Sequence, residues 1–381
     1  MQGVEEFRAG VRDWLAENLA GEFAALKGLG GPGREHEAFE ERRAWNQHLA
    51  EAGLTCLGWP VEHGGRGLSV AHRVAFYEEY AIANAPAKVN HFGEELLGPT
   101  LIAFGTPEQQ QRFLPRILDV TELWSQGYSE PGAGSDLANV ATSAVLDDDE
   151  WVINGQKVWT SLAHWAQWCF VLARSEKGSK RHAGLSYLLV PLDQPGVEVR
   201  PIVQLTGDSE FNEVFFDDAR TDAGLVVGSP GDGWRVAMGT LTFERGVSTL
   251  GQQIVYAREL DGVVELAKRG GAADDPLIRE RLTRSWAGLR AMRSYALATM
   301  DVEQPGQDNV SKLLWANWHR DLGEIAMDVQ GKTGLVLDGG DFDEWQRLYL
   351  FTRADTIYGG SNEIQRNIIA ERVLGLPREA R

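Results

Sequence analysis

The sequence predicts an α+β multidomain chain: a helical segment over residues 1–120, a β domain over 121–227 and a second helical segment over 228–381. Three observations predict it. Phe7, Val11, Trp14, Leu15 and Leu19 recur at helical spacing near the start. From about Thr121 the apolar period shortens to that of strands. After the run Gly228-Ser229-Pro230-Gly231-Asp232-Gly233-Trp234 it returns to that of helices and stays there. The order lacks the βαβ alternation of a doubly wound nucleotide-binding sheet.

In the first segment, a Gly-rich break at Gly28–Gly33 separates the opening helix from one expected over His36 to about Ala52. His63–Ser69 reads as a loop before another helix. Thr106, Pro107 and Gln109 form the N-cap, N1 and N3 signature of a capped helix. In the β domain, Asn154-Gly155 stands between two short strand-like runs, which predicts a hairpin turn at that dipeptide. Further strands are expected in the runs QWCFVLAR, GLSYLLVPL, VEVRPIV and NEVFFDD. In the last segment, Asp232 is positioned to cap a long helix that ends at Lys268-Arg269-Gly270-Gly271. Helices over about 276–300, 309–330 and 362–374 follow.

A net charge of −18 argues against nucleic-acid binding, and an anionic ligand would need local N–H groups or cations to overcome that field. No run approaches the length of a membrane span, and the acidic N-terminus does not resemble a secretory signal, so no membrane insertion and a cytoplasmic location are expected. Two cysteines, Cys56 and Cys169, imply no disulfide framework and read as small buried residues. The eight histidines show no metal-ligand spacing, and no metal is expected. Gly331-Lys332-Thr333 follows a helical pattern with Ala326 where a phosphate-binding loop needs Gly, so it is not read as one.

Chemistry concentrates in three motifs. Gln126-Gly127-Tyr128-Ser129-Glu130-Pro131-Gly132-Ala133-Gly134-Ser135-Asp136 opens the β domain; its small residues allow close backbone approach, and its N–H groups can form an anion-binding nest. Turn chemistry alone also explains its Pro and Gly. Gly155-Gln156-Lys157-Val158-Trp159-Thr160-Ser161 follows, and Ile357-Tyr358-Gly359-Gly360-Ser361-Asn362-Glu363-Ile364-Gln365-Arg366 lies near the C-terminus. In their order and context these motifs resemble the signatures of the acyl-CoA dehydrogenase family. The resemblance spans nearly the whole chain, including Gly58-Trp59-Pro60 and Gly105–Gln109.

The resemblance implies an N-terminal helical domain, a central β-barrel domain and a C-terminal four-helix bundle, with FAD as cofactor. It implies that Gln126, Tyr128, Ser129, Gly134, Ser135, Trp159, Thr160 and Ser161 line the flavin, that Ser361 and Glu363 approach the rest of FAD, and that Ser135, Arg245, Tyr358 and Gly359 contact the acyl-CoA substrate. Glu363 stands where the family often has Gln.

Many members carry a catalytic Glu directly after the Tyr of the last signature. Here that position is Gly359, which cannot take a proton. The isovaleryl- and long-chain-type branch uses a Glu-Arg on the long helix, matched by Glu244-Arg245. From spacing alone Glu244 is an ordinary surface carboxylate, but the branch pattern makes it the expected base. Leu241, Glu244, Ser248 and Gly251 share one helix face, and the small residues are expected to leave room for a substrate.

The implied reaction is α,β-dehydrogenation of an acyl-CoA to the trans-2-enoyl-CoA, with hydride passing to flavin N5 and electrons passing on to an electron-transfer flavoprotein. The alternatives are an oxidase or monooxygenase on the same scaffold, or a weakly catalytic subunit of a mixed tetramer. The family's Arg-Phe-Gly after the catalytic helix is missing between Lys268 and Pro276, and Thr333 replaces the first Gly of its Gln-x-x-Gly-Gly. These departures leave a homotetramer, with Arg279 or Arg281 as substitutes, and a mixed tetramer both open.

Overall fold

The structure is a computed structural model that describes residues 3–243, 248–299, 306–337 and 339–378. The expected base Glu244 and its neighbour Arg245 lie outside the described residues. The helices are α1 Val4–Asn18, α2 Phe39–Glu51, α3 Val70–Ile82, α4 Gly98–Phe104, α5 Pro107–Leu118, α6 Gly233–Phe243, α7 Ser248–Gly270, α8 Pro276–Thr299, α9 Gln307–Gln330, α10 Glu344–Thr352 and α11 Asn362–Ile368. The strands are β1 Trp124–Gly127, β2 Ser143–Asp147, β3 Glu150–Ser161, β4 Trp168–Arg174, β5 Leu185–Pro191, β6 Val197–Ile202, β7 Phe211–Asp222 and β8 Val226–Val227. The chain separates into two compact units. One comprises Met1–Leu15, Val70–Asn84 and Val247–Arg381, and the other Ala16–Ser69 and Ala85–Gly246.

The second of these units is built on an eight-stranded sheet of order β6-β7-β3-β2-β4-β5-β8, with β1 parallel to β4. Side chains alternate between the faces of a strand, and β4 and β5 fill both faces. Phe170, Leu172, Tyr187 and Leu189 enter one core with Leu97, Leu101, Phe113, Ile117 and Trp124. Cys169, Val171, Leu188 and Val190 enter another with Ile153, Val214 and Ala219. A strand covered on both sides has no polar face, which is why these two runs read as continuously apolar. Both cysteines are free and buried, and burial pushes the Cys169 thiol up to about 12. The capping box on α5 forms as expected, Thr106 accepting from Gln109 N–H and Gln109 accepting from Thr106 N–H.

The hairpin expected at Asn154-Gly155 is not there. β3 runs unbroken through both residues, and the β2–β3 turn is at Asp148-Asp149, with Asp148 at φ 53°. Gly155 serves a bulge against β7: at φ 152° a Cβ would sit 2.5 Å from Thr142 Oγ1 and 2.7 Å from Thr142 Cα.

The other unit packs α7, α8, α9 and α10 around Tyr256, Leu260, Val263, Leu282, Met292, Trp318, Leu322 and Ile325. Its α7 ends at Gly270, with Gly271 left-handed at φ 76°. The helix face expected to leave room for a substrate is filled at Gly251. There the chain meets α3, and a Cβ would lie 2.9 Å from the Tyr77 carbonyl oxygen. Gly251 thus serves close helix packing. Asp232 does not cap α6 through its side chain, which pairs with Arg235 Nη2 at 3.0 Å; its backbone carbonyl accepts from Val236 N–H.

Candidate functional site

The first motif enters on β1. Gly127 lets that strand approach β4 closely, since a Cβ would lie 2.8 Å from Cys169 Sγ. Tyr128 is buried edge-on to Phe170 and Tyr187, at centroid distances of 5.9 and 6.2 Å. The Ser129 carbonyl accepts from Val158 N–H at 2.9 Å, joining the motif to β3. Glu130 and Ala133 exchange two backbone hydrogen bonds of 3.0 Å, closing the turn over Pro131 and Gly132. Gly134 and Ser135 follow, both exposed.

A buried charge pair fixes this loop. Lys157, on β3 and fully buried, donates to Glu130 Oε1 at 2.7 Å, to the Tyr128 carbonyl at 3.1 Å and to the Leu172 carbonyl at 2.7 Å. The Glu130 carboxylate also accepts from Ala141 and Thr142 N–H at 2.6 and 2.9 Å. Burial alone would raise the Glu130 carboxyl, but Lys157 and these donors hold it below the usual range. Sequence reasoning did not assign this role to Lys157. Its only trace is a lysine in the middle of an otherwise half-apolar strand.

Two residues on from Lys157, β3 bulges. Trp159 adopts φ 59° and is 57% exposed, held edge-on to Phe211. A large aromatic held outward on a strained backbone is unusual and points to a ligand. Next to it in sequence, Thr160 is buried with no partner for its Oγ1 among the described residues. The same holds for the Gln126 Nε2 on β1. Buried polar atoms are ordinarily bonded, so such exceptions mark places where a ligand completes the set. A flat heteroaromatic ring with carbonyl and nitrogen atoms on its edge fits these groups. The structure therefore brings Gln126, Tyr128, Ser129, Gly134, Ser135, Trp159, Thr160 and Ser161 into one unit.

Tyr358, Gly359, Ser361 and Glu363 belong to the other unit. The turn between α10 and α11 is tight: Tyr358 Oη donates to Asp355 Oδ1 at 2.6 Å, and Gln365 Nε2 donates to the carbonyls of Gly359 and Gly360 at 3.0 and 3.1 Å. Both carbonyls are held by Gln365, Gly359 is exposed at φ 60°, and no bond from its N–H to another described residue is found. That leaves a free backbone donor for a ligand oxygen. Ser361 caps α11, accepting from Ile364 N–H at 3.4 Å. Glu363 is exposed in the first turn, its carboxyl held below the usual range by its own backbone N–H and by Ser361.

Family models for the N-terminal, middle and C-terminal domains of acyl-CoA dehydrogenases match residues 2–121, 125–219 and 231–374. The chain belongs to the acyl-CoA dehydrogenase family. As a member it is an oxidoreductase, and the family supports acyl-CoA dehydrogenation in general. It is 86% identical over 384 residues to the acyl-CoA dehydrogenase IpdE1 of Mycobacterium tuberculosis, covering 100% of both chains. Among solved structures it resembles the Tcur3481-Tcur3483 steroid ACAD, with TM-score 0.84 and 29% identity over 99% of this chain and 98% of that one. It also resembles the ChsE4-ChsE5 complex of Mycobacterium tuberculosis, with TM-score 0.82 and 30% identity over 99% and 98%. No helix among the described residues is long and apolar enough to cross a membrane.

Proposed function

We propose that this chain binds FAD and dehydrogenates an acyl-CoA thioester to the trans-2-enoyl-CoA, with Glu244 as the general base. The observation that carries the reading is the pair of buried atoms Gln126 Nε2 and Thr160 Oγ1, unpartnered among the described residues, in the unit that also exposes Trp159, in a chain of this family. Gln126, Tyr128, Ser129, Gly134, Trp159, Thr160 and Ser161 would hold the flavin, and Ser361 and Glu363 the rest of FAD. When bound, FAD supplies the acceptor for the hydride from the β carbon.

The chain's own residues govern the proton. A C–H alpha to a thioester is weakly acidic, so the charge that develops on the thioester oxygen must be stabilised as the base takes the proton. The Gly359 N–H would supply such a donor, and one donor of this kind is worth about 10² to 10³ in rate. Glu244 takes the α proton, since Gly359 occupies the family's other base position. Ser135, Arg245 and Tyr358 would contact the acyl-CoA.

The similarity to a steroid ACAD favours a bulky, steroid-derived acyl group over a linear one. Both solved relatives named above pair two polypeptides, and this chain lacks the Arg-Phe-Gly and carries Thr333 for Gly. A mixed tetramer, in which a second family member completes the FAD site, fits these departures. An electron-transfer flavoprotein in the cytoplasm would receive the electrons. We assign the domain limits near residues 120 and 227.

The test is anaerobic addition of a panel of acyl-CoAs to the flavin-loaded assembly while the yellow flavin absorbance is followed. Bleaching by at least one bulky acyl-CoA is the expected result, and no bleaching by any of them would overturn the reading. Rapid oxygen uptake by the reduced protein would turn it into an oxidase.

A further inference from the structure

One face of α9 carries a buried polar row, Asn309, Lys312 and His319, and all three bond to the segment that holds Gly359. Asn309 Nδ2 donates to Gln365 Oε1 at 2.6 Å, and Gln365 in turn holds the Gly359 and Gly360 carbonyls. Lys312 Nζ donates to the Asp355 carbonyl at 2.8 Å and lies 3.9 Å from the Trp315 ring centroid and 4.5 Å from that of Tyr358. His319 bonds at both ring nitrogens, Nδ1 to Asp355 Oδ2 at 2.8 Å and Nε2 to Glu259 Oε2 on α7 at 2.9 Å. Asp355 spends its other oxygen on Tyr358 Oη.

An imidazole with a carboxylate on each nitrogen can satisfy both only by donating twice, so it must be the imidazolium. Burial alone would depress it, but Asp355 and Glu259 outweigh burial and push it up to about 9. The groups facing it are Glu259 and Tyr256 from α7 and Asp355, which also holds Tyr358, from the turn. Lys312, on the same helix, reaches the Asp355 backbone. Asp355 is almost fully buried beside the turn where negative charge develops on the thioester oxygen. A bare carboxylate there would oppose that charge through a low-dielectric medium.

We propose that His319 is a positioning residue for the dehydrogenation: its cation compensates Asp355 and, through the Asp355–Tyr358 bond, fixes the turn that presents the Gly359 N–H. The inference rests on the reading in which that N–H serves the thioester oxygen. Because this donor acts on charge that appears only as the proton leaves, disturbing it lowers the rate of the chemical step more than substrate affinity.

The experiment compares the flavin-loaded wild-type assembly with His319→Gln and with Glu259→Gln, whose partly solvated carboxylate makes the milder change. Flavin content, acyl-CoA dissociation constant and the anaerobic flavin reduction rate are measured from pH 6 to 10. Wild type should bleach and lose rate as pH rises past the titration of His319. In His319→Gln the reduction rate should fall about 10- to 100-fold, a part of what a full oxyanion donor is worth. Flavin content should be unchanged and acyl-CoA affinity altered less than about threefold, the pattern of an interaction made in the transition state alone. In Glu259→Gln the alkaline loss of rate should move to lower pH. Wild-type rates in both variants, or parallel losses of rate, affinity and flavin, would overturn the inference while leaving the parent reading intact. Wild type that is not bleached by any acyl-CoA would overturn the parent reading, and this inference with it.

Discussion

Replacing Lys157 with Met tests whether the buried pair with Glu130 holds the loop from Tyr128 to Gly134. Met keeps most of the stem volume but removes the charge and three hydrogen bonds, to Glu130 Oε1, Tyr128 O and Leu172 O. It leaves the buried Glu130 carboxylate with only the Ala141 and Thr142 N–H groups. Breaking a buried pair from one side costs about 3–5 kcal/mol, because the remaining charge is uncompensated. In a unit of roughly 200 residues each kcal/mol shifts the melting temperature by about 2–4 °C, so a loss of roughly 6–20 °C is expected. The assay is thermal melting of the apo and FAD-loaded protein followed by circular dichroism, with FAD affinity measured alongside. The double variant Lys157→Met, Glu130→Gln should lose less than the sum of its singles by more than about 1 kcal/mol. A Lys157→Met protein melting within about 1 °C of wild type would show that the pair does not hold this loop.

Two other expectations follow from exposed and buried groups in the same unit. Trp159→Ala should weaken FAD binding by about 2 kcal/mol, or roughly 30-fold, as truncation of an aromatic anchor commonly does. Because Trp159 projects from the surface, the apo melting temperature should stay within about 2 °C, and unchanged FAD affinity would remove Trp159 from the site. Glu210 is buried, and burial, with the Glu35 charge second, pushes its carboxyl up to about 8. Its proton therefore favours the folded form: stability from this group is present below the ordinary carboxylate range and is lost as pH rises through about 8. Glu210→Gln should flatten the melting temperature between pH 5 and 8 and exceed wild type at pH 8.5 by a few kcal/mol of stability. The same slope in both proteins would contradict this.

The order of helices, strands and helices was legible because the apolar period itself changes at the two boundaries. The cap at Thr106 was legible because its partner Gln109 lies three residues away. The same signal, Asp343 with Gln346, starts α10, which the sequence reading passed over. Asn154-Gly155 misled because the dipeptide suits both a tight turn and a bulge. Only the approach of Thr142, thirteen residues before Gly155, decides between them. Gly251 read as space for a substrate because Tyr77, which fills it, is 174 residues away in sequence. The chemistry of His319 was hidden for the same reason, since Glu259 on α7 and Asp355 in the turn before α11 flank it from distant parts of the chain and leave no spacing pattern. Lys157 and Glu130 stood inside recognised motifs, but their pairing is a fact of sheet packing.

The proposed dehydrogenation needs Glu244 as the base, and rapid-mixing measurement of anaerobic flavin reduction in Glu244→Gln tests that most directly. Gln keeps the size and polarity of the side chain and removes the proton acceptor. With FAD content and acyl-CoA binding retained, the reduction rate should fall by about 10² to 10⁴, the usual contribution of a positioned general base. A flavin reduction rate within a few-fold of wild type would contradict the account and return the search for the base to another residue.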